Sequence, residues 1–199
     1  MKKKLFSIIL AGILIISLVG CSSPKPEDTV DTFLTNAQSL DLEKMSESMN
    51  PDSEDSLDKI GNDESDKTTD CLMDYFRENS SKMTYEIKNS EVDGDTAVVT
   101  VNFKYIDGTG ALKDALSKLF EEAFYQAFSE DEMSDEEMED LLVKAINDYD
   151  PEDGDTFDTK TVEINCIKKD NKWYIDEISD DLLDVIFCNC PSYLDSLDF

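Results

Sequence analysis

The chain has 199 residues, 40% hydrophobic and 33% charged, which suits one globular domain with a core and is too apolar for a disordered chain. Its 47 acidic residues against 18 basic ones give a net charge of −29, which repels phosphate backbones and anionic lipid heads and argues against nucleic acid as a partner. Histidine is absent, so Ser-His-Asp and Cys-His catalysis are excluded and the commonest metal ligand is missing; cations, basic peptides or neutral molecules are the natural partners.

In chain order, Lys2, Lys3 and Lys4 precede an uncharged, mostly apolar run over residues 5–19. At 15 residues it falls short of the roughly 20 needed to span a bilayer and fits the apolar region of a signal peptide. The run ends Leu18-Val19-Gly20-Cys21, which is similar to the lipobox of bacterial lipoproteins. That resemblance implies cleavage between Gly20 and Cys21 and a lipid thioether on Cys21, giving a signal peptide over 1–20, a lipidated tether over 21–26 and one domain over 27–199. Two acyl chains hold a protein stably where one is marginal. The alternative is an uncleaved signal anchor with an incidental cysteine. Loss of the leader leaves 15 basic against 47 acidic residues, a charge of −32.

Pro26, Glu27 and Asp28 suit a helix start, and Val30, Phe33, Leu34, Ala37 and Leu40 follow at helical spacing. Asp41 reads as the cap of a short helix with Leu42 and Met45. Residues 50–69 are polar and read as loop or weak helix, and Leu72, Tyr75 and Phe76 mark a third helix. The period then changes to two: Tyr85 and Ile87 alternate, Asp93-Gly94 signals a hairpin turn, and Ala97, Val99, Val101, Phe103 and Tyr105 form the inner face of a strand. Gly108-Thr109-Gly110 turns the chain into a helix carrying Leu112, Leu116, Leu119, Ala123 and Ala127, widened by Phe120 and Phe124. The segment lacks the third glycine of a dinucleotide loop, since Lys113 stands there. Ser134 to Glu137 is a capping box for a helix with Met138, Leu141, Leu142, Ala145 and Ile146. After an acidic break at 148–158, Val162, Ile164 and Cys166 alternate, Asp170-Asn171 turns, Trp173 and Ile175 return, and Ser179 caps a helix with Leu182, Leu183, Ile186 and Phe187.

Two hairpins with intervening helices predict an α+β fold: a four-stranded antiparallel sheet with helices packed on one face. The lipobox followed by Pro26-Glu27-Asp28-Thr29-Val30, the stretch 92–99, the stretch 133–138 and the segment 168–183 with Trp173, Ile175, Leu182 and Leu183 together resemble lipoproteins of Gram-positive bacteria in the NTF2-like (cystatin-like cone) superfamily. The resemblance implies a cone with a pocket between sheet and helices, and no known activity.

Tyr85, Phe103, Tyr105, Phe120, Phe124 and Trp173 are candidates to line such a pocket; the alternative is that they fill the core. Cys71, Cys166, Cys188 and Cys190 remain after Cys21. An exported setting permits disulfides; Cys188 and Cys190 are too close for an easy mutual bridge, so Cys71 with one of them is the preferred pair, against a reading in which all stay thiols. Asp148, Asp150, Glu152, Asp153 and Asp155 offer oxygen ligands for weak calcium, or form a solvated acidic loop, since the EF-hand glycine and glutamate are missing. No catalytic residue, metal site or cofactor stands out. The expectation is a lipid-anchored, extracytoplasmic, non-enzymatic binding or interaction domain whose ligand is an unidentified protein or small molecule. An NTF2-like enzyme with a buried carboxylate base, and an envelope sensor or assembly factor without small ligand, are the alternatives.

Overall fold

The computed structural model describes residues 24–53, 57, 66–126, 128, 134–149 and 156–197. The leader with Gly20 and Cys21, and Asp150, Glu152, Asp153 and Asp155, lie outside the described residues. In chain order the elements are α1 (Pro26–Gln38), α2 (Leu42–Ser46), α3 (Lys67–Ser80), β1 (Thr84–Asp93), β2 (Thr96–Asp107), α4 (Thr109–Gln126), α5 (Asp135–Asn147), β3 (Thr156–Lys169), β4 (Lys172–Ile175), α6 (Asp180–Ile186) and α7 (Cys190–Asp195). The strands make one antiparallel sheet in the order β1-β2-β3-β4, so the fold is the expected α+β plan.

Sheet register follows from the turns. Gly94 takes φ +62° between β1 and β2, and Asp170 and Asn171 take φ 50° and 64° between β3 and β4, the paired positive values of a tight hairpin turn. Val99, Val101, Phe103 and Tyr105 of β2 and Val162, Ile164 and Cys166 of β3 are buried, while Asn102, Lys104, Thr161 and Glu163 between them are exposed. One face of the sheet therefore carries the core and the other meets water. A register shift between Ile87 and Asn89 re-phases β1, leaving Val92 exposed.

Helix α1 lies under this core with Val30, Phe33, Leu34 and Ala37 buried. Leu40 is buried too, but it is not part of the helix: α1 stops at Gln38, and Leu40 sits in the left-handed region at φ 49° with its amide on the Ala37 carbonyl. Its burial among core residues offsets the backbone cost at a helix end where glycine is usual. The chain then returns through α2 to Met49, which bridges Ile175 in parallel, the Asn50 amide donating to the Ile175 carbonyl at 2.7 Å. At this end of the sheet the Trp173 indole donates to the Pro24 carbonyl at 3.0 Å and the Thr29 hydroxyl to the Trp173 carbonyl at 3.2 Å.

Helices α3, α4 and α5 form a second layer rooted at the opposite end, beyond Asp107. The Lys67 ammonium at the start of α3 reaches Asp140 of α5 at 3.1 Å, and the capping box of Ser134 and Glu137 closes the start of α5. Their buried residues are Asn79 and Ser80 of α3, Ala111 and Ala115 of α4, and Ala145 and Ile146 of α5. Burial is thus confined to one end of each helix. Met138 is exposed, and Leu112, Leu116, Leu119, Leu141 and Leu142 are half-buried rather than core.

Candidate functional site

Where the two layers meet, β3 alternation that turns Val162, Ile164 and Cys166 inward also brings Lys160 to the inner side. Its ammonium lies 2.8 Å from Asp181 and 3.1 Å from Asp184 of α6. Asp184 is 5% exposed, the buried carboxylate among the described residues. It also accepts from the Ser192 amide at 3.1 Å and the Ser192 hydroxyl at 2.8 Å. Burial works to lower the Lys160 pKa, but hydrogen bonds to both carboxylates outweigh it and hold it above the ordinary lysine value. With one cation and two donors around it, Asp184 ties β3, α6 and α7 together. The signal for this cluster in the sequence is Lys160 itself, which continues an inward-facing row and so requires a carboxylate partner.

Beside it the Tyr105 hydroxyl donates to Asn189 at 2.8 Å. Burial, helped by the Asp158 carboxylate, pushes the phenol up to about 12. Cys188 and Asn189 both adopt left-handed backbone, φ 58° and 61°, and this reversal folds α7 back toward α4. Gly108 donates its amide to the Cys188 carbonyl at 2.9 Å, and a Cβ there would meet the Tyr75 hydroxyl at 2.7 Å; only glycine fits this junction.

The six aromatic candidates separate into two groups. Phe103, Tyr105 and Trp173 are buried in the main core and Tyr85 packs against it, tilted over Phe103 with centroids 6.4 Å apart. The Tyr85 hydroxyl donates to Asp31 at 2.8 Å. Phe120 and Phe124 are not with them. They are 60% and 70% exposed on α4, followed by Tyr125 at 73% and Phe128 at 79%. The reason is steric: the small residues Ala111 and Ala115 seat α4 at its root, its main packing is on α5 and α7, and among the described residues nothing covers its outer half. Phe124 and Phe128 contact edge to face at 5.0 Å.

Phe120 also walls a groove of about 660 Å³ between α4 and α7, with Lys113, Leu116, Ser117, Tyr193 and Leu197. The Lys113 ammonium sits 5.0 Å over the Tyr193 ring. A second groove of about 500 Å³ runs between α3 and α5, with Cys71, Asp74, Glu78, Lys82 and Asn147 in its walls, and is more polar. Helix α7, which forms one side of the first groove, has no counterpart in the sequence expectations, because Cys188 and Asn189 carry no glycine to signal a reversal.

The expected Cys71 bridge is corrected: Cys71, Cys166, Cys188 and Cys190 stand as thiols. Cys71 faces α5, 3.9 Å from the Val143 carbonyl, while Cys188 and Cys190 pack with Ile106 in a separate cluster. Cys166 is buried, and burial pushes its thiol up to about 12. Of the acids considered for calcium, Asp148 ends α5 and pairs with Lys144. Among the described residues no group of three side chains gathers as metal ligands, and no helix is long and apolar enough to cross a membrane.

The family model described as "Domain of unknown function (DUF5105)" matches residues 24–186, which takes in every element from α1 to α6. Among solved structures the chain is similar to a crystal structure from Bacillus subtilis subsp. subtilis str. 168 described as a "putative lipoprotein (ycdA)", at 18% identity and a TM-score of 0.39, covering 80% of this chain and 45% of that one. No curated protein matches.

Proposed function

Since the chain belongs to the DUF5105 family, which carries no assigned activity, we propose that it is a lipid-anchored, extracytoplasmic binding module that presents the outer half of α4 to a partner. The exposed aromatic row of Phe120, Phe124 and Phe128 carries this reading. An isolated exposed phenylalanine is ordinary, but a contiguous apolar patch on a chain with a third of its residues charged is the mark of an interaction surface. The engagement of Asp184, the buried carboxylate among the described residues, by three donors of its own chain favours binding over an acid-base enzyme. The anchor reading is supported by the leader of residues 5–19 and by Leu18-Val19-Gly20-Cys21, three residues before the family domain begins at 24. The one-sided sheet with helices under it supports an NTF2-like cone, a plan that hosts enzymes and binding modules alike, so the assignment rests on the surface and not on the fold.

Two measurements on the full chain in its host test this. Cys21→Ala is expected to lose fatty-acid labelling and leave the membrane fraction; retention of both overturns the anchor. A photo-crosslinking residue in place of Phe124 is expected to give discrete adducts in intact cells; absence of adducts overturns the binding surface.

A further inference from the structure

We propose that the partner of α4 is a cationic amphipathic helix of another envelope protein, laid along the Phe120–Phe124–Phe128 ridge and into the groove beside α7. This rests on the binding-module reading and specifies the chemistry of what binds. Phe120 and Phe124 stand four positions apart on one face of α4, and the Phe128 ring, just past the helix end at Gln126, meets Phe124 edge to face at 5.0 Å and extends that row. With Tyr125 they leave on the order of 500 Å² of aromatic surface in water, the size at which patches are functional. A row of apolar knobs beside a groove is the geometry that receives the i, i+4, i+7 face of a partner helix.

Charge selects among occupants. Residues 119–143 contain ten acidic and no basic residues. Of the two lysines on the inner half of α4, Lys118 is paired with Asp114 at 2.8 Å and Lys113 is stacked on Tyr193. A second copy of the chain would bring an equally anionic rim to this ridge, and an anionic bilayer would do the same, so both are repelled. A helix with leucine-like residues on one face and lysine or arginine on the flanks satisfies ridge and rim together. Helix α4 is also rooted at the end of the sheet opposite Pro24, and its main packing is on α5 and α7 rather than on α1, which carries the tether. The ridge is therefore free for a protein approaching clear of the anchor.

The test uses the full lipidated chain in zwitterionic nanodiscs and, as probe, a dye-labelled 18-residue leucine/lysine amphipathic peptide, with a leucine/glutamate peptide of the same pattern and empty nanodiscs as controls. Saturable binding of the lysine peptide is expected, weakened about tenfold or more by the charge-neutral double substitution Phe124→Ser with Phe128→Ser, and absent for the glutamate peptide. Both side chains are exposed, so circular dichroism of the double variant is expected to match the parent. Equal affinity of parent and double variant would show that bulk charge alone holds the peptide and overturns the proposal, as does equal binding of the two peptides. Crosslinks from position 124 that map to lipid or to a second copy overturn it too. Crosslinks to a protein, together with no peptide discrimination, overturn this inference and leave the binding-module reading standing.

Discussion

The end of the sheet near Pro24 and the three-helix layer beyond Asp107 treat apolar residues in opposite ways. Near Pro24, every large apolar side chain of α1, from Val30 to Leu34, is buried against β-strands that are themselves one-sided. In the helical layer α4 is richer in aromatics, yet only Ala111 and Ala115 are buried and the phenylalanines face water. Apolar content alone does not make a core; a second surface has to close over it, and α5 and α7 are too short or too far inward to do so for the outer half of α4.

That contrast can be broken or sharpened by substitution. The largest effect is expected from Leu34→Ala, which empties space in a core with no room to collapse and costs about 4 kcal/mol, read as a shift of the urea midpoint. Asp184→Asn follows at about 3 kcal/mol, because it leaves Lys160 without its inner carboxylate and α7 without its anchor; amide exchange of α7 is expected to rise most, and uniform exchange across the chain would refute the anchoring role. Gly108→Ala, with a Cβ 2.7 Å from the Tyr75 hydroxyl and 3.0 Å from the Cys188 Cβ, is expected to cost about 2 kcal/mol by overpacking the junction of the two layers. High pH acts next. The Tyr105 phenol, raised to about 12 by burial, holds its proton in the folded state while the unfolded chain releases it near 10, so its contribution is complete below pH 10 and is lost as pH climbs toward 12; Tyr105→Phe should flatten that alkaline decline. Smallest of all is Phe124→Ala, expected to stay within about 0.5 kcal/mol of the parent. A large loss there would mean that the aromatic ridge is part of the fold and not a surface.

What the sequence disclosed was local. Period-two runs such as Ala97 to Tyr105, the Asp93-Gly94 and Asp170-Asn171 turns, and the caps Asp41, Ser134 and Ser179 each act through neighbours within a few residues, and all appear in the structure. What it concealed was long-range. Helical periodicity in α4 marks an apolar face but carries no information on whether another element covers it, so Phe120 and Phe124 read as pocket or core. Leu40 kept the helical spacing of α1 while lying outside the helix, because burial and helicity were inferred from one pattern. The Lys160–Asp184 pair joins residues that no spacing rule connects, and spacing that disfavours a Cys188–Cys190 bridge carries no sign that Cys71 faces α5 while Cys188 and Cys190 pack elsewhere.

The hydrogen bond from Trp173 to Pro24 fixes where the domain begins, and it does so beside the β3–β4 turn. Lys168, Lys169 and Lys172 flank that turn, Lys168 over the Trp173 ring, Lys172 over Tyr174 and Lys169 paired with Asp52 at 2.7 Å. From Cys21 to Pro24 the chain reaches about 10 Å at most. An anchor at Cys21 would hold this end of the sheet, with its lysines and their neighbours Asp52 and Asp170, next to the headgroups, and would keep the acid-rich helices of the far end away from them. Neutron reflectometry on anionic bilayers should find it standing; a domain lying flat at low salt would contradict this orientation.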